Sequence, residues 1–147
     1  RKNNLFTFLR TLPQDLPFFL ELRHPDWFSD KVIRKEWLEM IRSLNIGAVI
    51  TDATGRRDCA HMELTVPKTF IRFVGNGLVP TDYTRIDEWV KRIKSWLDNG
   101  LQEVYFFMHQ HDERFSPRLC DYVIEKMNKH CGTELKRIPF LDGPRLF

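Results

Sequence analysis

Ionisable and amide side chains follow four apolar stretches of this sequence, each close to the point where the stretch ends. They are Glu21, Arg23, His24, Asp52, Arg72, Asn76, His109 and His111. Carboxylate, imidazole and guanidinium groups that share one cavity are suited to acid–base chemistry on an anionic substrate. Glu21 and Arg23 are two residues apart, as are His109 and His111, so each pair projects to one face of an extended segment.

This pattern predicts a role for each group. Glu21, Asp52 and His109 are the expected acid, base or metal-binding residues, because imidazole titrates near neutral pH and a carboxylate beside a cation has a tuned pKa. Guanidinium groups hold phosphates and carboxylates in bidentate fashion. The expected substrate-binding residues are Arg23, His24, Trp27, Arg72 and Asn76, with Trp27 as a wall or lid over a strand exit.

Three alternatives remain open at this point. Glu21, Arg23 and Arg72 also fit an internal salt-bridge network that performs no chemistry. A mixed carboxylate–imidazole site for Zn²⁺, Mn²⁺ or Fe²⁺ would use Glu21, Asp52, His109 and His111. The segment Gly75-Asn76-Gly77 fits either a turn with positive φ or, loosely, a phosphate-binding loop.

Hydrophobic periodicity predicts alternating helices and strands around these residues. Predicted strands cover residues 18–22, 46–52, 69–75 and 104–108. Predicted helices cover residues 5–12, 30–44, 81–98 and 117–131, with Ser29, Thr81 and Ser116 as N-caps. Residues 53–68 show no clean period and are predicted to be a long connection with at most a helical turn.

The alternation indicates an α/β fold with parallel strands joined by right-handed crossovers. Four main strands are too few for a (β/α)₈ barrel, which takes about 250 residues. We therefore predict parallel β/α units forming about half of a TIM-barrel-type fold, with a single domain over residues 1–132 and a tail over residues 133–147. A homo-oligomer or a missing N-terminal half would cover the open sheet edges.

Composition narrows the class of protein. The chain has 147 residues, 42% hydrophobic and 29% charged, which is typical of a globular domain. A net charge of only +3 with mixed signs makes nucleic acid an unlikely partner. Three cysteines without a C-x-x-C pair, no run of about 20 apolar residues and no leader predict a cytoplasmic protein with no membrane contact. The start at Arg1 rather than Met suggests a processed product or a fragment.

Four segments together resemble the YecE-like family, also called domain of unknown function 72. They are Phe19-Leu20-Glu21-Leu22-Arg23-His24-Pro25-Asp26-Trp27-Phe28, Val49-Ile50-Thr51-Asp52, Phe70-Ile71-Arg72-Phe73-Val74-Gly75 and Val104-Tyr105-Phe106-Phe107-Met108-His109. The resemblance implies a TIM-barrel-type fold of which this chain is the C-terminal portion, and it implies no established reaction. The sequence thus predicts an enzyme-like barrel that binds a small phosphorylated or carboxylated anion at its strand ends. A non-catalytic binding or interaction module is the alternative, and the cofactor stays unknown.

Overall fold

A computed structural model describes residues 2–140 of the chain. Its core is one four-stranded parallel sheet with the strand order β1-β2-β3-β4. The strands are β1 (Phe19–Leu20), β2 (Gly47–Asp52), β3 (Lys68–Gly75) and β4 (Glu103–Gln110). The helices are α1 (Lys2–Arg10), α2 (Asp26–Ser29), α3 (Lys31–Ser43), α4 (Pro80–Asp98) and α5 (Ser116–Cys131). The predicted α/β fold of parallel β/α units is confirmed.

All three predicted helix caps are wrong. Ser116 is the first residue of α5, and its hydroxyl donates to the Glu113 carboxylate instead of capping the helix. Asp30 caps α3, since its Oδ1 accepts hydrogen bonds from the amides of Val32 at 2.7 Å and Ile33 at 3.3 Å. Ser29 is instead the last residue of the short helix α2. Thr81 lies inside α4, which begins with Pro80 at a position where a missing N–H costs nothing.

Helices cover one face of the sheet and form the hydrophobic core there. Strand residues Ile50, Ile71 and Phe73 pack against α4 and α5 in the larger cluster. A second cluster joins α1 and α3 to the β1–β2 side and is centred on Trp37 and Ile41, both fully buried. Burial of each large apolar side chain stabilises the fold by about 1.5–3 kcal/mol.

The connection from β2 to β3 contains only a 3₁₀ turn at Arg57–Cys59, so no crossover helix packs on this part of the sheet. Polar anchors hold the connection instead. His61 Nε2 lies 3.1 Å from the Val49 carbonyl oxygen, and the Thr65 hydroxyl donates to the Ile46 carbonyl at 2.7 Å. The His61 ring also stacks on Phe28. Side-chain hydrogen bonds to the carbonyls of β2 and of the residue just before it therefore hold this segment in place of a packed helix.

The opposite face of the sheet has no helix over it within residues 2–140. Aromatic side chains line it, and they are Phe19, Phe70, Tyr105 and Phe107. The Phe19 ring lies over Gly47, where an added Cβ would sit 2.2 Å from a ring carbon. Only glycine allows this approach of β1 to β2, and we call the uncovered surface the open face.

The segment after α5 has no helix or strand in residues 132–140. It still binds α5, because the Arg137 guanidinium lies 2.6–2.8 Å from both carboxylate oxygens of Asp121. The end of the predicted tail, residues 141–147, lies outside the described part. No helix in residues 2–140 is both long and apolar enough to cross a membrane.

Candidate functional site

Three polar side chains meet on the open face near the carboxyl ends of β1, β2 and β3. Glu21 follows β1 directly, and its Oε1 accepts hydrogen bonds from the Thr51 hydroxyl at 2.8 Å and from Arg72 Nη1 at 3.1 Å. Thr51 and Arg72 are neighbours in the ladder between β2 and β3. Because side chains alternate along a strand, both residues project to the face that Glu21 occupies. The structure thus places Glu21 beside Arg72.

Arg72 is only partly committed to this pair. Its Nη1 is bound to Glu21, while within residues 2–140 its Nε and Nη2 have no hydrogen-bond partner. The side chains of Arg72 and Glu21 are 30% and 28% exposed. Glu21 therefore fixes the Arg72 guanidinium in a place that solvent can reach, and its Nε and Nη2 can donate to an incoming acceptor.

Arg23 and a group from the β2–β3 connection border this pair. Arg23 Nε is 4.0 Å from Glu21 Oε1, and its side chain is largely exposed. The Arg56 guanidinium donates to the Arg23 carbonyl oxygen at 2.5 Å and lies 3.0 Å from the Cys59 sulfur. Burial raises the pKa of the Cys59 thiol, so this sulfur is not activated as a nucleophile. The Arg56 side chain therefore positions Arg23 by binding the Arg23 backbone carbonyl.

His109 lies on β4, on the same face as Phe107 and two residues further toward the carboxyl end. Its Nδ1 is 3.4 Å from Glu113 Oε1, and the other oxygen of Glu113 accepts a hydrogen bond from the Ser116 hydroxyl. This bond to Ser116 is the main cause of a lowered pKa at Glu113, with His109 a smaller one. The ring of His109 is therefore oriented by a carboxylate that stays ionised.

The remaining predicted residues of the first and fourth strand exits lie apart from this pair. The His24 ring accepts a hydrogen bond from the Asp26 amide at 3.3 Å, which closes a local turn. Trp27 packs in the cluster around α3, and its carbonyl oxygen accepts from Trp37 Nε1 at 3.0 Å. His24 and Trp27 line a separate cavity of about 320 Å³ beside α1. His111 is exposed beyond the end of β4.

Asp52 lies on the other face of the sheet, away from Glu21. Its carboxylate accepts hydrogen bonds from Trp89 Nε1 at 2.7 Å and from Arg85 Nη2 at 2.9 Å, and it forms an ion pair with Arg57. Since Thr51 projects to the open face, the next residue must project to the helix-covered face. The predicted grouping of Asp52 with Glu21 is therefore not observed. Asp52 instead links β2 to α4 through its hydrogen bonds to Trp89 and Arg85.

Arg85, which the sequence analysis did not identify, is the centre of this second network. Its guanidinium donates to the Val74 carbonyl at 3.1–3.2 Å, lies 3.6 Å from the Asp82 carboxylate and stacks 4.2 Å over the Phe73 ring. Arg85 on α4 therefore forms ion pairs with two buried carboxylates, Asp52 on β2 and Asp82 one turn earlier on α4. A polar residue in the first turns of a helix shows no sequence signal that it is buried.

The loop after β3 is a turn whose amides are already bound. Both carboxylate oxygens of Asp82 accept from the Asn76 amide at 2.9 Å, and one of them accepts from the Leu78 amide at 3.0 Å. Gly77, at φ +76°, donates its amide to the Gln110 side chain at 2.8 Å. A buried carboxylate therefore occupies the position that a phosphate would take, and the Asn76 side chain is exposed.

A metal site needs several ligands at one place. Within residues 2–140, no three His, Cys, Asp or Glu side chains are grouped closely enough to hold a metal ion. Of the four predicted ligands, Glu21 and His109 lie on the open-face side, Asp52 faces away from them, and His111 lies beyond the end of β4. The divalent metal stays a prediction.

The fold and this geometry define the protein as an α/β domain of parallel β/α units with a polar cluster at its strand ends. The chain belongs to the family described as protein of unknown function DUF72, whose model matches residues 1–139. The predicted family is confirmed. No functionally curated protein matches the chain.

Two crystal structures of a DUF72 family protein from Enterococcus faecalis V583 share this fold. The first, at 3.10 Å resolution, is 16% identical with a TM-score of 0.65, covering 95% of this chain and 55% of the other. The second, at 2.52 Å resolution, is 15% identical with a TM-score of 0.63, covering 90% and 53%. The chain thus spans about half the length of these neighbours, and the likeness shows the fold alone.

Proposed function

We propose that this domain binds a small phosphorylated or carboxylated molecule at the carboxyl ends of its strands, as part of an enzyme of the TIM-barrel type. The observation that supports this most is the state of Arg72. Glu21 fixes its guanidinium through Nη1, while Nε and Nη2 have no partner among the described residues. A fixed guanidinium that keeps two adjacent donors is suited to bidentate binding of an oxyanion.

Neighbouring groups support the same proposal. Arg23 adds a second positive charge within 4.0 Å of Glu21, so two cations face one carboxylate in this cluster. In parallel β/α folds, ligands bind at the carboxyl ends of the strands, which is the edge where these side chains lie. The anion would therefore meet a surface with one excess positive charge.

His109 is the proposed acid–base group of the site. Its carboxylate partner Glu113 keeps the ring oriented, and a neutral imidazole with one oriented nitrogen leaves the other available for proton transfer. Glu21 is proposed to orient Arg72, since its carboxylate already accepts two hydrogen bonds. We also propose a cytoplasmic location, which the three free cysteines support.

The test is calorimetric titration of the full-length protein with inorganic phosphate, sulfate and acetate. Arg72→Gln is expected to weaken binding at least tenfold. Its ion pair is partly exposed, so the loss of stability should stay below about 1 kcal/mol. Lys68→Gln is the matched control, because Lys68 lies at the other end of β3, pairs with Glu103, and is 32% exposed against 30% for Arg72. Equal binding by both variants would contradict the proposal.

A non-catalytic binding or interaction module is the second candidate. The bonds of Glu21 to Thr51 and Arg72 favour it, because a carboxylate with two partners joins three strands without any chemistry. Glu21→Gln separates the two candidates. A loss of about 1–3 kcal/mol in stability with unchanged anion affinity supports the structural module. Stability within about 1 kcal/mol of wild type and altered anion affinity support the binding site.

A further inference from the structure

The segment that carries Arg23 is not held in place by the sheet. The strand β1 has only two residues, and its ladder to β2 ends at Leu20. Glu21 is then fixed through its side chain, by the Thr51 hydroxyl. Two residues further on, the Arg23 side chain is 63% exposed and its Nε is 4.0 Å from Glu21 Oε1. The position of Arg23 beside the anion site therefore depends on contacts outside the ladder.

Arg56, on the β2–β3 connection, makes such a contact. Its Nη2 donates to the Arg23 carbonyl oxygen at 2.5 Å and lies 3.0 Å from the Cys59 sulfur. The Asp58 carboxylate binds the same guanidinium in bidentate fashion, with Nε–Oδ1 and Nη2–Oδ2 both at 3.0 Å. These hydrogen bonds raise the pKa of Arg56 and lower the pKa of Asp58. Asp58 therefore fixes the guanidinium that reaches Arg23.

Two neighbouring arginines join the first half of the connection to the rest of the chain. Among the described residues, side-chain hydrogen bonds from residues 53–58 to partners outside the connection come from Arg56 and Arg57 alone. Arg57 pairs with Asp52, which faces the helix-covered side of the sheet. Arg56 reaches Arg23, which borders the anion site. Only Arg56 therefore links this half of the connection to the anion site.

We propose that Arg56 is a positioning residue of the anion site, which holds Arg23 where its guanidinium binds the anion together with Arg72. The proposal rests on the proposed function and adds to it a residue that does not touch the ligand. Arg56 acts through the backbone, because it binds the Arg23 carbonyl oxygen and leaves the Arg23 guanidinium to the anion. The β2–β3 connection thus contributes to binding from outside the site.

Calorimetric titration of the full-length protein with inorganic phosphate tests this role at physiological salt, where exposed charges more than about 8 Å apart are largely screened. Arg56→Gln should weaken phosphate binding at least about threefold, because residues in contact within one network are coupled energetically. Arg57→Gln is the matched control, because it removes the same charge from the next residue, which is bound to Asp52. Arg57→Gln should bind phosphate as wild type does.

The same titrations in an Arg23→Gln background separate positioning from other roles. Arg23→Gln keeps the backbone carbonyl that Arg56 binds and removes only the guanidinium. An effect of Arg56 that acts through this guanidinium must then disappear, so Arg23→Gln and the double variant should bind phosphate within about twofold of each other. A general structural effect of Arg56 on the segment would persist, because the bond to the carbonyl is present in both backgrounds.

The possible failures are distinct. Wild-type affinity in Arg56→Gln, or an equal loss in Arg57→Gln, would overturn the positioning role and leave the proposed anion site intact. An equal loss from Arg56→Gln in both backgrounds would also overturn it, since Arg56 would then not act through the Arg23 guanidinium. Failure of the wild-type protein to bind phosphate would overturn the proposed function and this inference together.

A second variant decides the matter if Arg56→Gln does not fold. Asp58→Asn removes a negative charge, which by electrostatics alone would strengthen the binding of an anion. It also removes the carboxylate that fixes Arg56, which by positioning should weaken the binding of phosphate. Weaker binding by Asp58→Asn supports the proposal, and unchanged or tighter binding contradicts it.

Discussion

Replacing Asp52 by Asn should destabilise the fold without affecting anion binding. Asn keeps the size of the side chain and one oxygen for Trp89 Nε1, but it removes the negative charge that faces Arg85 and Arg57. The Asp52 side chain is 2% exposed and that of Arg85 is 16% exposed. The substitution therefore leaves the largely buried Arg85 guanidinium with less negative charge nearby to balance its positive charge.

The expected loss follows from the burial of each partner. Removing one member of a buried ion pair costs about 3–5 kcal/mol, whereas an exposed pair contributes about 1 kcal/mol or less. Asp82, 3.6 Å from Arg85, still neutralises part of the charge. We therefore expect a loss near the lower end, about 3 kcal/mol, and a midpoint lowered by about 10 °C.

Urea unfolding followed by tryptophan fluorescence measures this loss, since Trp89 is part of the network. Arg57→Gln is the control and should lose less than about 1 kcal/mol, because the Arg57 side chain is 60% exposed. A loss below about 1 kcal/mol for Asp52→Asn would refute the reasoning about the buried network. Loss of anion binding at unchanged stability would refute the placement of Asp52 on the helix-covered face.

Three further predictions concern other parts of the chain. Burial lowers the pKa of His61 below its usual 6.5, so the unfolded chain binds a proton at His61 more readily than the folded chain does. The stability that His61 contributes is therefore complete above pH 6.5 and is lost on acidification. His61→Gln should reduce the change of the urea unfolding midpoint between about pH 5 and 8. Gly47→Ala should lower the free energy of unfolding by about 1–3 kcal/mol in the same assay, because the added Cβ would clash with the Phe19 ring. Adding Phe19→Leu should recover part of this loss, and no recovery would contradict the clash. Glu113→Gln should reduce the population of the His109 tautomer that carries its proton on Nδ1, because the carboxylate that faces Nδ1 is removed. The ¹⁵N chemical shifts of the ring measure this population, and unchanged shifts would show that Glu113 does not orient the ring.

The alternation of strands and helices was predictable because it depends on local patterns. The helices carry apolar stripes at a period of 3.6, and the strands are short apolar runs bounded by turn residues. Trp37 and Trp89 fall in such stripes, and both are buried in the structure. The same local rules could not choose between Ser29 and Asp30 as the cap of α3, since both residue types cap helices and only the length of α2 decides.

The position of Asp52 was harder to predict for a different physical reason. Every residue of β2 is buried, so the strand has no alternation of polar and apolar residues that would tell one face from the other. The face of Asp52 becomes clear only when Thr51 is seen to bind Glu21 across the β1–β2 boundary. That contact joins residues 30 positions apart and leaves no mark in the local sequence.

The two faces of β3 differ in what a change of sequence can do. Its residues alternate strictly between buried and half-buried, with Ile71 and Phe73 under the helices and Phe70 and Arg72 on the open face. Substitutions at the first set act on folding, and substitutions at the second act on whatever the face binds. Under the proposed function, a designed library could therefore vary Arg72 on the open face and alter anion binding, while Ile71 and Phe73, which hold the strand against the helices, stay the same.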